Sequence, residues 1–412
     1  MRTTRMIRPE YAQRFACTGA RCEDTCCNGW QVTVDEASYR KYRAEFSGDL
    51  RRLAEGALQP LGEEERRQSG SFAAMRLLPS GDCPFLSAER LCRIQSECGA
   101  GHLCHTCATF PRVRRTIDGL EETELSLSCP EAARVVLSAL RLLPPPQAAG
   151  YRIAWDDRAA GQPLWSYFWP IREFVVELLE NRDYPLWQRL FLLGAFARRL
   201  QARDAGRAQG NFAALRDNFA GAVARRGLCA AMNAIPADLP LQLEIVLRLI
   251  AQRVNQAPLR PRLRAVLEDF MRGVGHSRQA PLADQAARYG DAYARYYAPF
   301  FRRHPQMLEN YLLNLVLRDG FPFGLTPDGA QAPPQPERAF AKLALQFALV
   351  KGLLIGVAGA RRRQFSAADA IRTVQAAFRH FEHHAGFLDE AHALLAARGL
   401  NNARGLTMLL RN

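Results

Sequence analysis

Apolar residues recur at helical spacing through most of the chain after residue 150. In the run Leu190, Leu193, Phe196, Ala197 and Leu200, spacings of three and four residues place the side chains on one face of a helix. The same spacing predicts helices over Pro163 to Glu180, Pro185 to Gln201, Leu239 to Val254, Arg262 to Arg272, Met307 to Arg318 and Arg338 to Ala360. No fixed-period repeat accompanies it. This part of the chain is therefore predicted to be an all-α domain.

The first 143 residues lack such long periodic segments. Short helices are expected, such as Asp35 to Leu53, together with a polar loop near Gly62 to Ser71. One β-hairpin is predicted where Val113 to Ile117 and Leu120 to Leu127 flank Asp118-Gly119, a dipeptide that tolerates the positive φ angles of a tight turn. The region is otherwise expected to be irregular.

A proline-rich break separates the two parts. Pro144, Pro145 and Pro146, followed by residues 147–150, cannot continue the helix predicted for Glu131 to Leu143. We therefore predict two domains, 1–143 and 151–412. The predicted fold class is mostly α: an irregular cysteine-rich, metal-binding N-terminal domain with a small β-hairpin, followed by an all-α helical domain that offers a place for cofactor and substrate.

The chain is basic, with a net charge of +14 carried almost entirely by arginine, since lysine occurs only at Lys41, Lys342 and Lys351. Such a charge attracts anionic partners. The arginines are spread along many helices, however, and no block of five or more basic residues occurs. Nucleic-acid binding is therefore not expected.

Two features bear on location. Met1 to Phe15 carries arginines but no apolar core of the kind found in signal peptides. The nearest approach to a membrane-spanning segment is Leu343 to Ala360, which Gln346, Lys351 and three glycines interrupt. We expect a cytoplasmic protein that does not span a membrane.

Cysteine is concentrated in the N-terminal part, where ten of the eleven cysteines lie between Cys17 and Cys129 and only Cys229 lies outside. They form two clusters: Cys17, Cys22, Cys26 and Cys27, and then Cys83, Cys92, Cys98, Cys104, Cys107 and Cys129. Disulfides are typical of exported chains, and isolated buried thiols would be scattered along the sequence. Metal ligation explains the crowding better, because thiolates are soft ligands for zinc and for the iron of iron–sulfur clusters.

The spacing of the cysteines does not choose between the two metals. The adjacent pair Cys26-Cys27 is untypical of a simple zinc finger, in which two residues usually separate paired ligands. The cluster motif of radical enzymes is also absent, because Gly29 stands where its third cysteine would be. Zinc and iron–sulfur both stay open at this point.

Histidines add two weaker candidates. His102 and His105 lie beside cysteines of the second cluster and are chemically reasonable ligands, although a solvated loop is the commoner setting. His380, His383 and His384 have helical i, i+3 and i+4 spacing, which also suits a metal, but a solvated helix face is the more usual explanation.

Several longer motifs surround the cysteines. They are Cys17-x4-Cys22-x3-Cys26-Cys27-Asn28-Gly29-Trp30, Cys83-Pro84-Phe85-Leu86, Leu91-Cys92-Arg93-Ile94, Thr106-Cys107-Ala108-Thr109-Phe110-Pro111-Arg112 and Leu125-Ser126-Leu127-Ser128-Cys129-Pro130-Glu131. This combination resembles the flagellin lysine-N-methylase family, which shares its cysteine-rich part with a wider group of zinc- or iron-chelating proteins. The resemblance is strong over residues 11–134. It continues more weakly through Glu309-Asn310-Tyr311-Leu312, Phe321-Pro322-Phe323 and Ile371 to Glu382.

The resemblance implies methyl transfer from S-adenosylmethionine to the ε-amine of lysines on flagellin, with an associated 4Fe-4S cluster. The cysteines that match the family pattern, and are thereby the expected metal ligands, are Cys17, Cys22, Cys26, Cys27, Cys83, Cys92, Cys107 and Cys129. Cys98 and Cys104 are additions to that pattern. Eight thiolates exceed the needs of one four-ligand cluster, so either two centres exist or some of these cysteines are structural.

Methyl transfer to lysine needs a neutral amine. With a solution pKa of about 10.4, deprotonating a lysine at pH 7 costs about 4–5 kcal/mol, which the protein lowers by desolvation, by nearby positive charge or by a base. Polar residues interrupt one apolar helix pattern: Glu309 and Tyr311 are the candidate catalytic residues, and Asn310 and Asn314, which share a face, are the candidate cofactor ligands. The alternative is that they cap the helix or form interhelical hydrogen bonds.

No glycine-rich dinucleotide fingerprint follows a strand. The nearest glycine group, Gly352, Gly356 and Gly359, lies inside a helical pattern, where close helix packing explains it better. The common methyltransferase fold is therefore not expected. Two other functions stay open beside methyl transfer: a noncatalytic zinc- or iron-binding adaptor, and a cluster-based redox or electron-transfer protein.

Overall fold

The computed structural model describes residues 2–5, 7–144, 152–155, 163–206, 211–256, 259–277, 279–324, 333–382 and 386–412. The described chain is mostly helical with small sheets, as predicted. It divides into two compact units. The helical unit comprises Met1–Arg14, Arg115–Ser128 and Ala133–Asn412, and the cysteine-rich unit comprises Phe15–Arg114 and Cys129–Ala132. Residues 145–150, where the sequence predicts a domain boundary, lie outside the described residues, so the division at that point stays a prediction.

The regular elements are numbered in chain order. The strands are β1 (Arg2–Arg5), β2 (Thr33–Val34), β3 (Leu58–Pro60), β4 (Ala73–Met75), β5 (Arg112–Ile117), β6 (Leu120–Leu125) and β7 (Arg152–Trp155). The α-helices are α1 (Glu36–Glu45), α2 (Gly48–Ala57), α3 (Glu63–Ser69), α4 (Arg93–Cys98), α5 (His105–Thr109), α6 (Pro130–Ser138), α7 (Phe168–Glu180), α8 (Leu186–Asp204), α9 (Phe212–Ala224), α10 (Cys229–Asn233), α11 (Leu239–Gln256), α12 (Pro261–Val274), α13 (Leu282–Ala292), α14 (Ala298–Arg303), α15 (Pro305–Arg318), α16 (Pro336–Arg361), α17 (Ala367–Ala377), α18 (Phe387–Ala396) and α19 (Ala403–Leu410). Two π-helical turns occupy Tyr293–Tyr297 and Phe378–Glu382.

The cysteine-rich unit is more regular than the sequence pattern predicts. A three-stranded antiparallel sheet in the order β2-β4-β3 pairs Val34 with Ala73 and Leu58 with Met75. Its apolar side chains share a core with Tyr42 and with Phe46, whose rings stack at 4.6 Å. The prediction of an irregular region was therefore wrong here, because strands of two or three residues are too short to show alternation.

The polar segment 62–71 is also helical, not a loop. Charged residues hide this helix from a hydrophobic pattern, but its ends carry clear signals. Glu65 Oε2 accepts a hydrogen bond from Gly62 N at 3.1 Å, and Arg67 pairs with Glu64 at 2.9 Å. Gly70 ends α3 in the left-handed conformation at φ 63°.

The predicted hairpin is confirmed. Strands β5 and β6 pair, and the turn between them places Asp118 at φ 50° and Gly119 at φ 76°. These two positive φ angles are those of a type I′ turn, whose twist matches that of the flanking strands.

The six helices predicted beyond residue 150 are confirmed as α7, α8, α11, α12, α15 and α16. The all-α description needs one correction, since β7 pairs antiparallel with β1 and aligns Trp155 with Arg2. Trp155 is buried and packs edge-on against Tyr167 at 5.8 Å and Phe212 at 5.6 Å. A strand of four residues anchored by one tryptophan gives too short a pattern to recognise in a helical background.

Helix α16 is the centre of the helical unit, where it contacts α8, α11, α12, α13, α17, α18 and α19. Its glycines serve close packing, as predicted. A Cβ on Gly352 would lie 2.5 Å from Val246 Cγ2, and one on Gly356 would lie 3.0 Å from Phe270 Cα. The helix Pro336–Gln364 is long and apolar enough to cross a membrane, but 89% of its most apolar window is buried inside the protein, as in the core helix of a soluble domain.

Candidate functional site

All eleven cysteines lie in the described residues, and none is in a disulfide. Ten of them belong to the cysteine-rich unit, while Cys229 belongs to the helical unit. Cys83 and Cys104 are buried in the core of their unit, and Cys17 and Cys26 are exposed. Some of these thiols therefore have an apolar packing role in addition to any ligand role.

Backbone hydrogen bonds bring the two cysteine clusters together. Cys83 N donates to Cys27 O at 2.8 Å, and Gly29 N donates to Gly81 O at 2.8 Å. A bridge between Leu86 and Cys92 then turns the chain back on itself. Cysteines that are about 55 residues apart in sequence thus lie on adjoining loops.

Cys104 and Cys107 form a hydrogen-bonded thiol pair. Cys104 caps the N-terminus of α5, one turn from Cys107, and the two side chains are hydrogen-bonded. The bond from Cys107 lowers the pKa of Cys104, and the pKa of Cys107 rises because the shared proton is held there and because the thiol is buried. Cys104 lies outside the predicted ligand set, yet the fold joins it to Cys107, which lies inside.

Burial raises the pKa of four further thiols. It raises the pKa of Cys83 to about 11 and that of Cys129 to about 12, and it also raises the pKa of Cys22 and Cys92. The remaining influences on Cys129 include the charges of Cys22 and Cys26, and those on Cys83 include Cys92, Cys104 and Cys26. These thiols therefore lie within electrostatic range of one another, and Cys83 and Cys129, with their raised pKa values, stay protonated at pH 7 in the absence of a bound cation.

The donor chemistry fits a thiolate-bound metal, while the arrangement does not present a closed site. Within the described part of the chain, no group of three or more His, Cys, Asp or Glu side chains surrounds one point. Ten reduced cysteines in one unit are nevertheless the soft donors that zinc and iron–sulfur clusters need. The eight cysteines predicted as ligands stay a prediction, as does the metal.

The two loop histidines have other contacts. His102 Nε2 lies 2.9 Å from Glu45 Oε2 near the surface, and the backbone N of His105 donates to Asp35 Oδ2 at 2.9 Å. His380 is buried in the second π-helical turn, and its backbone oxygen accepts from Arg253 Nε at 2.7 Å. His383 and His384 lie outside the described residues.

Glu309, Asn310, Tyr311 and Asn314 are all buried on α15. Glu309 pairs with Arg189 at 2.7 Å and with Arg182 at 2.8 Å. Asn310 Nδ2 donates to Val136 O at 3.0 Å and to Ala139 O at 2.7 Å, at the C-terminal end of α6. Such contacts are the interhelical hydrogen bonds predicted as the alternative to a catalytic or cofactor role for these residues.

Asn314 makes a different set of bonds. Its Nδ2 donates to Tyr11 Oη at 2.6 Å and to Leu125 O at 3.1 Å. The catalytic and cofactor roles assigned to this helix are neither excluded nor required by such contacts. They stay predictions.

The sequence analysis missed a charged group beside Asn314. Glu122 and Glu124 on β6 face Arg172 on α7, and all three side chains are about 2% exposed or less. Alternation along β6 puts the two glutamates on the face opposite that of Leu125 and Leu127, so the pattern gives no sign that they are buried. The one local signal is that two acidic residues at i and i+2 share a face of the predicted strand.

A groove of about 460 Å³ opens in the cysteine-rich unit beside Trp30. Trp30 Nε1 donates to Cys26 O at 2.5 Å, and Met75 and Leu77 form part of the wall. Its other lining residues are Gly29, Gln31, Gln59, Ala74 and Arg76. None of these lining residues is a carboxylate or an imidazole, so the groove offers apolar, amide and guanidinium groups for contact but no side chain suited to proton transfer at neutral pH.

Comparison with known proteins supplies the family. Residues 172–409 match the FliB lysine N-methylase C-terminal domain, which is more than half of the chain. Over 140 residues, 34% of the chain, it is 36% identical to a lysine-N-methylase of Salmonella typhimurium strain LT2 and 35% identical to one of Salmonella choleraesuis strain SC-B67. It is also 35% identical over 140 residues to the flagellar biosynthetic protein FliU of Salmonella muenchen.

The aligned segment spans 34% of each lysine-N-methylase and 80% of the FliU protein. No solved structure matches the chain. The match over residues 172–409 includes α7 through most of α19, and thus the helical core around α16. The chain belongs to the FliB lysine N-methylase family.

Proposed function

We propose that the protein is a lysine N-methylase that transfers a methyl group from S-adenosylmethionine to the ε-amine of lysines on flagellin. The observation that carries the proposal is the family match over residues 172–409. The names of the relatives, lysine-N-methylase and flagellar biosynthetic protein, support the reaction and the flagellar substrate. A cytoplasmic site of action belongs to the same proposal.

The reaction forms a bond between the lysine nitrogen and the methyl carbon and breaks the bond from that carbon to the sulfonium sulfur. The products are a methylated amine and S-adenosylhomocysteine, and the amine loses a proton before or during transfer. Neutralising it at pH 7 costs about 4–5 kcal/mol, so a proton acceptor is needed. Glu309 and Tyr311 are the proposed acceptors on α15, where ion pairs with Arg182 and Arg189 hold the Glu309 carboxylate in place.

The direct test is to incubate the purified protein with S-adenosylmethionine and flagellin and to measure lysine masses by mass spectrometry. Increments of one methyl group on lysine are expected. Unmodified flagellin, with metal-loaded protein that binds the donor, would contradict the activity and favour the adaptor or redox alternative.

We also propose that the cysteine-rich unit holds a 4Fe-4S cluster, with zinc as the alternative metal. Cys17, Cys22, Cys26, Cys27, Cys83, Cys92, Cys107 and Cys129 are the proposed ligands. When bound, a cluster would tie the adjoining loops together and offer a one-electron redox centre. The support is the density of reduced thiols on loops that the Cys83 N to Cys27 O bond holds side by side.

Metal analysis with a visible spectrum on anaerobically prepared protein separates the two metals. Iron and sulfide in comparable amounts, with visible absorption, are expected for a cluster. Zinc without absorption would overturn the choice of iron while leaving the thiolate site standing.

A further inference from the structure

A buried charged cluster lies in the helical unit, apart from the cysteines. It consists of Arg115 on β5, Glu122 and Glu124 on β6, Arg172 on α7 and Asn314 on α15. Glu124 lies within electrostatic range of Arg172, Glu122 and Arg115. Asn314 joins them through Tyr11, whose hydroxyl accepts from Asn314 Nδ2 at 2.6 Å and lies within electrostatic range of Glu124 and Arg172. Arg115 is partly exposed, and the other four side chains are buried.

The internal pairing of this cluster is incomplete. Arg172 Nη1 lies 2.7 Å from Glu122 Oε2, but its Nη2 lies 3.6 Å from Glu124 Oε1, beyond hydrogen-bonding distance. Asn314 Nδ2 donates to Tyr11 Oη and to Leu125 O, whereas Asn314 Oδ1 accepts no hydrogen bond from the described residues.

Seven buried atoms of the cluster have no hydrogen-bond partner among the described residues. The acceptors are Glu122 Oε1, Glu124 Oε1 and Asn314 Oδ1, and the donors are Nε and Nη2 of Arg172 and Nε and Nη1 of Arg115. Buried polar groups are nearly always satisfied in proteins, so each exception needs an explanation. Seven exceptions within one cluster indicate a missing partner that both accepts and donates.

The two sets of atoms define the chemistry of that partner. Nε and Nη2 of Arg172 lie on one side of the guanidinium and form the fork that a carboxylate accepts in bidentate fashion, and Arg115 adds single N–H donors. Three oxygens are the acceptors that an ammonium with three N–H groups requires. Two arginines and two glutamates sum to no net charge, so a zwitterion enters without leaving a charge uncompensated.

We infer that this cluster binds the α-amino-carboxylate group of a ligand, and, resting on the proposed function, that this ligand is the methyl donor S-adenosylmethionine. The carboxylate faces the arginines, and the ammonium faces Glu122, Glu124 and Asn314. Asn314 thus keeps the cofactor role that its place on α15 predicts, whereas Asn310 is engaged elsewhere.

The titration of Glu124 agrees with this assignment. Burial raises the pKa of Glu124 to about 7, and Arg172 offsets only part of the increase. A buried carboxylate with a raised pKa has too few positively charged or hydrogen-bonding partners, and the ammonium of a ligand supplies them. Ordered water molecules alone are the competing explanation, since they also satisfy such atoms.

Binding measurements on the full chain distinguish these explanations. Isothermal titration calorimetry would use S-adenosylhomocysteine, which has the α-amino-carboxylate, and 5′-methylthioadenosine, which lacks it. Free methionine, the third probe, carries the group without the nucleoside. None of these probes requires methyl transfer.

Glu124→Gln keeps the shape of the side chain and removes its charge, and Arg172→Gln removes the guanidinium with its paired N–H groups. Each is expected to weaken S-adenosylhomocysteine roughly ten- to hundredfold and to leave 5′-methylthioadenosine unchanged. Glu121→Gln is the matched control, because Glu121 is exposed on the opposite face of β6. Should Arg172→Gln fail to fold, Glu124→Gln decides alone.

Wild-type affinity for S-adenosylhomocysteine in folded Glu124→Gln protein would overturn the site while leaving the proposed function intact. Loss of both nucleosides would equally overturn it, since the effect would not be specific to the amino-acid group. If no nucleoside binds to the wild type but methionine binds and is lost in the variants, the site stands and the proposed donor falls. If none of the three probes binds, water is the occupant and the inference is wrong.

Discussion

Lys351 shows how one buried charge is accommodated. Its Nζ donates to Leu410 O at 2.9 Å and to Gln242 Oε1 at 3.2 Å, and it also contacts Asn412. The ammonium therefore ties α16 to the last residues of α19 and to α11. Burial lowers the pKa of Lys351 from 10.5 to about 7, because little water remains to solvate its charge.

This depressed pKa predicts a pH dependence. Between about pH 7 and 10.5 the unfolded chain binds one more proton at this side chain than the folded chain, so the free energy of unfolding rises with pH across that window, by up to about 1.4 kcal/mol per unit. Lys351→Met removes the titrating group and should flatten the slope in urea unfolding at pH 7, 8 and 9. Lys342→Met, at a 39% exposed side chain, should keep it. An unchanged slope in Lys351→Met would contradict the assignment.

Asn310 allows a structural role and a cofactor role to be separated. Asn310→Ala leaves Val136 O and Ala139 O without their donor, so we expect a loss of about 1–3 kcal/mol in the free energy of unfolding. The exposed Asn255→Ala is the control and should change stability by only a few tenths of a kcal/mol. Affinity for S-adenosylhomocysteine should be unchanged in both. Weaker binding of S-adenosylhomocysteine by Asn310→Ala, at an unchanged free energy of unfolding, would show that Asn310 has a cofactor role.

At the scale of elements, the crossing of α12 and α16 depends on glycine. Gly273, Gly356 and Gly359 lie where the two backbones touch, and a Cβ on Gly359 would be 3.3 Å from Gly273 Cα. The contact between these helices is the most extensive in the chain. Helices approach this closely only where side chains are absent.

Gly356→Ala is therefore expected to destabilise the protein by about 1–3 kcal/mol, since the new methyl meets the ring and Cα of Phe270. Gly56→Ala in α2 has open space around the added Cβ and should stabilise by up to about 1 kcal/mol through helix propensity. If packing around the added Cβ determines the stability change, thermal unfolding will show a lower Tm for Gly356→Ala and a higher Tm for Gly56→Ala. A neutral Gly356→Ala would mean that α12 can shift away at no cost.

At the scale of the whole molecule, charge and cysteine are divided between the units. The cysteine-rich unit has 13 basic and 14 acidic residues, a net charge of −1, so the helical unit carries a net charge of +15. The positive charge of the helical unit favours acidic partners, while the soft thiol donors belong to the other unit.

Removal of ligands tests the metal proposal at this scale. Cys26→Ala and Cys27→Ala are expected to lose most of the bound metal and, for an iron–sulfur cluster, the visible absorption. Cys229→Ala, in the helical unit, is the matched control and should retain both. Full metal content in both ligand variants would show that the centre lies elsewhere or that these thiols only pack.

The sequence by itself determined the long helices, the Asp118-Gly119 hairpin and the family, because each rests on a pattern confined to a short window of residues. The helix period of α16 and its glycines could be recognised without knowing any partner. Family resemblance likewise needed only contiguous motifs, which the match over residues 172–409 extends. The short strands β2, β3, β4 and β7 were not predicted, since two to four residues do not establish a hydrophobic period.

The burial of polar residues and the partners that they contact follow from the three-dimensional fold. Nothing in the local sequence shows that Glu122 and Glu124 are buried, yet Arg172, which lies 48 residues beyond Glu124, pairs with them there. Cys83 meets Cys27 through one backbone bond across 56 positions, and Asn314 meets Tyr11 across 303. Burial and pairing arise from contacts between distant segments, so no local pattern carries them, and the candidate sites of this protein consist of such contacts.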